Sequence, residues 1–206
     1  MIDIVQGSPE WFAARCGRAT ASRFKDIIAK TKSGPSASRK NYIAQLVCER
    51  LTGKVEDSYT NAAMAWGTEQ EPFARMALEQ RGIVVQEVGF IQHWELMAGA
   101  SPDGLIDSTG MVEIKCPNTA THIETLLSGK MPAGHMAQVQ GQMWIAKRDY
   151  CTFVSFDPRL PEDMQLFTQT IPRDDQYILG IEREVVAALD EVELTIKQLK
   201  EKQWLL

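Results

Sequence analysis

The 206-residue chain is poor in the residues that mark disulfide-built, metal-caged or membrane proteins. Its four cysteines, Cys16, Cys48, Cys116 and Cys151, are scattered and form no Cys-x-x-Cys pair. That spacing excludes a zinc ribbon and points to reduced thiols rather than a disulfide framework. The three histidines, His93, His122 and His135, lack metal-ligand spacing and read as structural or surface residues. No apolar run approaches the ~20 residues of a membrane span. The N-terminus carries no basic-then-apolar leader pattern. A cytoplasmic protein without a membrane partner is therefore expected. Internal repeats, low-complexity tracts and interdomain linkers are also missing, which favours one domain over residues 1–206.

A basic excess is missing too. The net charge of −5 on its face disfavours a nucleic-acid partner, but the charge is unevenly spread. Residues 1–50 carry nine Lys/Arg against four Asp/Glu, whereas residues 161–206 carry five against ten. A local basic lining beside an acidic metal site is enough to hold phosphates. Apolar content of 44% with 24% charged residues fits a globular chain with a real core and excludes disorder.

The chemistry concentrates in Ala100-Ser-Pro-Asp-Gly-Leu105 and Met111-Val-Glu-Ile-Lys-Cys-Pro117. Asp103, between Pro102 and Gly104, is expected on a turn. Residues two apart on a strand share a face, so Glu113 and Lys115 project together and Ile114 faces the other way. If the Asp103 turn leads into that strand by a hairpin, two carboxylates and an ammonium converge. Such a set suits a hard divalent ion and metal-assisted phosphodiester hydrolysis. Taken alone, Asp-Gly is also an ordinary turn and Glu-x-Lys an ordinary solvated pair.

Ser8-Pro-Glu-Trp-Phe reads as a helix start, with Arg15 near its end and Gly17 as the stop. Thr20 or Ser22 is expected to cap the next helix, whose N–H groups and nearby arginine could take a phosphate. A capped helix with a surface arginine is the simpler reading of that segment. Residues 31–40 are expected to form a basic, mobile, phosphate-touching loop, followed by a helix over about 39–52 and a second loop over 54–60. Helical pattern resumes from Asn61 to Glu79, where Pro72 weakens or kinks the helix and leaves a break near Gln70–Glu71 open. Glu71 reads either as a solvated helix residue or as a carboxylate facing the Asp103 turn. Residues 82–91, 96–101 and 111–116 read as three strands of an antiparallel meander. In the helix after Pro132, Gln138 and Gln142 fall at i, i+4 on one face, and Met136, Val139 and Met143 on another. Two more strands follow, over 150–157 and 165–171. A long amphipathic helix over about 174–200 follows them, and Trp204-Leu-Leu206 is expected to dock. The expected class is α/β, a mixed central sheet with helices on both faces.

The ordered set Arg15…Thr20-Ala-Ser22, Trp66-Gly67…Glu71, Ser101-Pro-Asp-Gly104, Glu113-Ile-Lys-Cys-Pro117 and Met136-Ala-Gln-Val-Gln140 resembles the lambda-type phage alkaline exonucleases, the YqaJ-like viral recombinase family, over about residues 8–160. The resemblance implies a restriction-endonuclease-like, PD-(D/E)xK core. It implies Asp103, Glu113 and the Ile114 carbonyl as ligands of Mg²⁺, with two ions expected and Mn²⁺ as a substitute. Lys115 would activate the hydrolytic water, Glu71 would support the metal site, and Gln138 would orient water or phosphate. Arg15, Ser22 and Ser101 resemble the family's pocket for a 5′-terminal phosphate. Met64 is placed as a wedge at the site mouth, although a core methionine fits the pattern equally. The implied activity is 5′-to-3′ digestion of one strand of linear duplex DNA to mononucleotides, by a homotrimeric ring acting with a single-strand annealing protein of a phage or prophage. The alternatives are a nicking or structure-specific endonuclease of the same fold and a non-enzymatic DNA-end-binding module.

Overall fold

A computed structural model describes residues 4–32, 34–55 and 62–202. Pro9–Arg15 is α1; the Ser8 hydroxyl accepts from the Trp11 amide and Pro9 opens the helix, as its sequence dictates. Ala19–Thr20 is the short β1, and a 3-10 turn over Ala21–Arg23 leads into Phe24–Ile28, α2. Neither Thr20 nor Ser22 caps α2 with its side chain. The Thr20 hydroxyl lies instead 3.4 Å from both the Ser22 and the Tyr42 hydroxyls.

The basic stretch is not the loop its composition suggests. Lys30–Thr31 (β2) and Gly34–Pro35 (β3) pair as a small hairpin. Ala37–Thr52 then forms α3 behind the Ser36 cap and stops at Gly53, whose φ of 66° is the left-handed turn that glycine favours. Ala62–Gln80 is α4, which runs unbroken through Pro72. The lost hydrogen bond would have gone to the carbonyl of Thr68, an exposed residue whose carbonyl water can serve. The apolar pattern of α4 also misleads: Ala74 and Leu78 are buried, while Phe73 and Met76 are more than half exposed. The expected helix start at Asn61, most of the 54–60 loop and the docking of Trp204–Leu206 lie outside the described residues.

The β-branched run over 82–91 is, among the described residues, largely outside the sheets. It contributes one bridge, Gln86 to Leu105, and the two-residue β4, Ile91–Gln92. Ala98–Ala100 is β5, which pairs antiparallel with β4 and parallel with β1. Gly104–Ile106 (β6) and Gly110–Lys115 (β7) form an antiparallel hairpin closed at Asp107, whose carboxylate accepts the Thr109 and Gly110 amides. The expected meander is therefore wrong: β5 and β7 belong to separate sheets. Pro102, which has no N–H to give a ladder, stands in the crossing between them.

Thr119–Ser128 is α5, ending at Gly129, and Met136–Ala146 is α6. Tyr150–Phe156 (β8) lies parallel to β7 and antiparallel to Leu166–Pro172 (β9), giving the order β6-β7-β8-β9. Val112, Ile114 and Val154 pack with Ala74 and Leu78 of α4 on one face of this sheet. Met111, Cys151 and Phe153 pack with Val139 and Met143 of α6 on the other. Asp175–Glu201 is α7, which buries Ile178, Ile181, Val185, Leu189, Val192 and Ile196 against α2, α3 and α6. Each such side chain contributes roughly 1.5–3 kcal/mol of burial. Lys30–Glu184 (2.6 Å), Arg39–Glu191 (2.5 Å) and Arg50–Glu193 (2.5 Å) add ion pairs to the same seam. Much of the basic excess of the N-terminal segment is thus matched by the acidic C-terminal helix rather than left for a ligand. The architecture is mixed α/β with helices flanking mixed sheets, and among the described residues no helix is long and apolar enough to cross a membrane.

Candidate active site

Period-two alternation on β7 sends Glu113 and Lys115 to the α6 face and Ile114 to the α4 face. Asp103 lies in the bend just before β6. Its amide donates to the Val112 carbonyl (3.2 Å) and its Oδ2 accepts the Ile114 amide (2.6 Å), which pins it beside β7. The carboxylates therefore converge as expected, through the β6–β7 pairing; the hairpin's own turn is at Asp107.

Glu113 is almost fully buried and heavily bonded. Its Oε1 accepts from the Lys115 ammonium and from Gln138 Nε2 (2.5 Å), and its Oε2 accepts from Gln142 Nε2 (2.7 Å). A carboxylate has about four lone-pair sites, so capacity for a further partner remains. Burial, then Glu113, pushes the Asp103 carboxyl well above the usual carboxylate range. Glu71 adds to the rise, while Lys115 and the Ile114 amide oppose it. Burial alone would lower the Lys115 pKa, but Glu113 and Asp103 outweigh it and hold the ammonium above the ordinary lysine value. Burial and the carboxylates of Glu71 and Asp103 push the neighbouring Cys116 thiol up to about 12, so it is not a nucleophile at neutral pH.

Three residues outside the expected set bond to members of it. Gln142 sits one turn beyond Gln138, and the i, i+4 spacing was its signal. Arg75 bonds Glu71 Oε1 (2.6 Å), the Asp103 carbonyl (3.5 Å) and Glu87 (3.3 Å), again four residues from its first partner. Trp11, four residues before Arg15, is stacked on by that guanidinium at 4.0 Å and donates from Nε1 to Ser101 Oγ (2.9 Å). Arg15 also reaches Ser101 Oγ, at 3.4 Å. With two donors on its oxygen, the Ser101 hydroxyl proton is left to point at something else.

A cleft of ≈ 910 Å³ runs along part of this set. Arg15, Ser22 and Trp11 line it together with Met64, Glu71 and Asp103. Ser101 stands behind its wall through the Trp11 and Arg15 bonds. Met64 is half exposed at the cleft rather than in the core. Among the described residues no group of three or more His, Cys, Asp or Glu side chains forms a ready metal cage. Asp103, Glu113 and the Ile114 carbonyl nevertheless fit a hard cation. All are oxygen donors, Mg²⁺ commonly takes only one or two carboxylates, and the burial and neighbouring carboxylates that raise the Asp103 pKa are what a cation would offset.

The YqaJ-like viral recombinase domain model matches residues 10–149. The chain belongs to the YqaJ-like viral recombinase family. Its fold is that of an alkaline exonuclease from Laribacter hongkongensis, LHK-Exo, at 52% identity and a TM-score of 0.87 over 95% of this chain and 97% of that one. LHK-Exo in complex with dAMP matches at 52% identity and a TM-score of 0.88 over the same shares. A phage related exonuclease from Haemophilus somnus 129PT shares the fold at 20% identity and a TM-score of 0.71, over 88% of this chain and 96% of that one. No curated protein sequence matches the chain.

Proposed function

We propose that this nuclease is a single-domain, divalent-metal-dependent exonuclease that engages linear duplex DNA at a 5′-phosphorylated end. It releases mononucleotides from that strand and leaves a 3′ single strand. The observation that carries the reading is the shared cleft: Arg15 and Ser22 line the same cavity as Asp103 and Glu71. A cationic phosphate subsite beside a carboxylate centre confines cutting to a strand end. The dAMP held by LHK-Exo is a deoxynucleoside monophosphate, the size of product this activity requires.

Asp103, Glu113 and the Ile114 carbonyl would hold Mg²⁺, or Mn²⁺ in its place. A bound ion polarises phosphoryl oxygens and lowers the pKa of water. Lys115 enters as an ammonium, held so by Glu113 and Asp103. It orients the attacking water as a donor and stabilises charge developing on the phosphate. Gln138 and Gln142 fix Glu113, which in turn aims Lys115. Glu71, anchored by Arg75, adds negative charge facing Asp103. Arg15 with the Ser22 and Ser101 hydroxyls takes the terminal phosphate dianion through charge-assisted hydrogen bonds. Met64, at the cleft, wedges the terminal base pair. The half-exposed Phe73 and Met76 of α4 support contact with further copies in a trimeric ring. A single-strand annealing protein in a phage or prophage setting would use the 3′ strand.

The test is digestion, in Mg²⁺, of linear duplex with 5′-phosphate, the same duplex with 5′-hydroxyl, and a covalently closed circle. The expected result is conversion of the phosphorylated linear DNA to mononucleotides, slower attack on the hydroxyl end, an intact circle, and no reaction in EDTA. Cutting of the circle would overturn the end-dependent reading in favour of an endonuclease.

A further inference from the structure

One side chain bonds to both halves of the site. Gln142 is almost completely buried on α6, and its amide nitrogen serves two acceptors. One is Glu113 Oε2 at 2.7 Å, the carboxylate that also holds Lys115; the other is the Ser101 carbonyl at 3.4 Å. Ser101 is the residue whose hydroxyl accepts from Trp11 and Arg15 at the end pocket. An unbroken chain of bonds therefore runs from Arg15 through Ser101 and Gln142 to Glu113. Among the described residues the buried amide oxygen of Gln142 has no hydrogen-bond partner, which leaves it able to accept one. An apolar residue of that size would leave no such orphan.

We propose that Gln142 is a positioning residue that couples occupancy of the 5′-phosphate pocket to the alignment of Glu113 and Lys115. The inference rests on the end-pocket reading of Arg15, Ser22 and Ser101. A phosphate drawn to Arg15 and to the Ser101 hydroxyl displaces the Ser101 backbone or fixes it. Either change alters the longer of the two Gln142 bonds, and with it the shorter one to Glu113. A correctly seated end thus sets the geometry of the hydrolytic centre, and a wrong end leaves it slack. Discrimination then lies in the chemical step as well as in binding.

The experiment compares the wild type with Gln142→Met, a near-isostere without donors. Single-turnover rates are measured in Mg²⁺ on duplexes with 5′-phosphate and 5′-hydroxyl ends. Affinities for the same two ends are measured in EDTA, where no hydrolysis occurs. In the wild type the phosphorylated end should be both bound more tightly and cut faster. In Q142M the rate on the phosphorylated end should fall about tenfold or more, so that the ratio of the two rates collapses toward one. The binding preference should survive. An unchanged rate ratio overturns the coupling and leaves Gln142 as packing or as a support of Glu113 alone. Loss of the binding preference also overturns it, by making Gln142 part of the pocket. Thermal melting of Q142M establishes that it is folded; if it is not, Q142N, one methylene shorter, runs the same arms. Absence of any 5′-phosphate preference in the wild type is a distinct result. It removes the pocket reading, and this inference falls with it.

Discussion

The proposed hydrolytic centre and end pocket share a cleft through Asp103 and Glu71 on one side and Arg15 and Ser22 on the other, but are built differently. Glu113 and Lys115 stand on a six-residue strand paired on both sides, with each Glu113 oxygen held by side chains from the same strand or α6. Arg15 ends a seven-residue helix with no buried residue, and Ser22 lies on a single 3-10 turn. The guanidinium of Arg15 is placed by stacking on Trp11 and one long bond to Ser101. Chemistry that tolerates little misplacement is mounted on the sheet. The proposed recognition of a terminal group, which must admit and release successive nucleotides, rests on short elements.

The largest separation between the two regions should come from Lys115→Ala. Hydrolysis is expected to fall on the order of 10²–10³-fold or more, as for loss of a preorganised charge stabiliser, while duplex-end binding in EDTA persists. Single-turnover kinetics and fluorescence anisotropy read the two quantities, and near-normal cleavage would remove Lys115 from the mechanism. Arg15→Ala should act through the other region. Loss of a charge-assisted bond costs about 1.5–3 kcal/mol, roughly 10- to 100-fold in kcat/KM for the 5′-phosphorylated end, with the 5′-hydroxyl end little changed. A uniform loss on both ends would dissolve the distinction.

The smallest expected effect is on stability. Asp103 has a folded pKa raised above its ordinary 3.8. The proton it retains on folding favours the folded state at low pH, and that contribution is lost as pH rises through the raised value. Asp103→Asn, which keeps an acceptor for the Ile114 amide, should therefore melt a few degrees above wild type at pH 8 in EDTA while losing hydrolysis. The gap should narrow as pH falls toward 3.8, and calorimetry over that range checks it. A variant less stable at every pH would show that the Asp103 charge is already compensated.

Local pattern revealed what local physics decides. Alternation on β7 put Glu113 and Lys115 on one face, the i, i+4 spacing aligned Gln138 with Gln142, and the apolar stripe of α7 read directly as a buried face. Distant partners decided the rest. Among the described residues the run over 82–91 has strand composition but pairs only through the Gln86 bridge and at Ile91, and strand propensity without pairing makes no sheet. Arg39 reads as part of a basic loop until Glu191, 152 residues away, claims it. The charge asymmetry of the chain was legible as a basic lining, yet part of it is the match between α3 and α7. Phe73 and Met76 carry the helix period but face outward, which composition cannot distinguish from inward.

The parallel pairing of β7 with β8 has a consequence in time as well as in space. Arg15 through Gln142 hold every side chain assigned to the reaction, but β7 gains its second neighbour only when residues 150–156 arrive. Parallel, nonlocal pairing of this kind closes late and slowly. A chain still emerging from the ribosome with residue 149 just synthesised would possess all its catalytic groups and lack the scaffold that aims them. On the proposed assignment, cleavage of DNA would then begin only after residues 150–156 have been made and paired with β7, so the nascent chain stays inert until that scaffold closes.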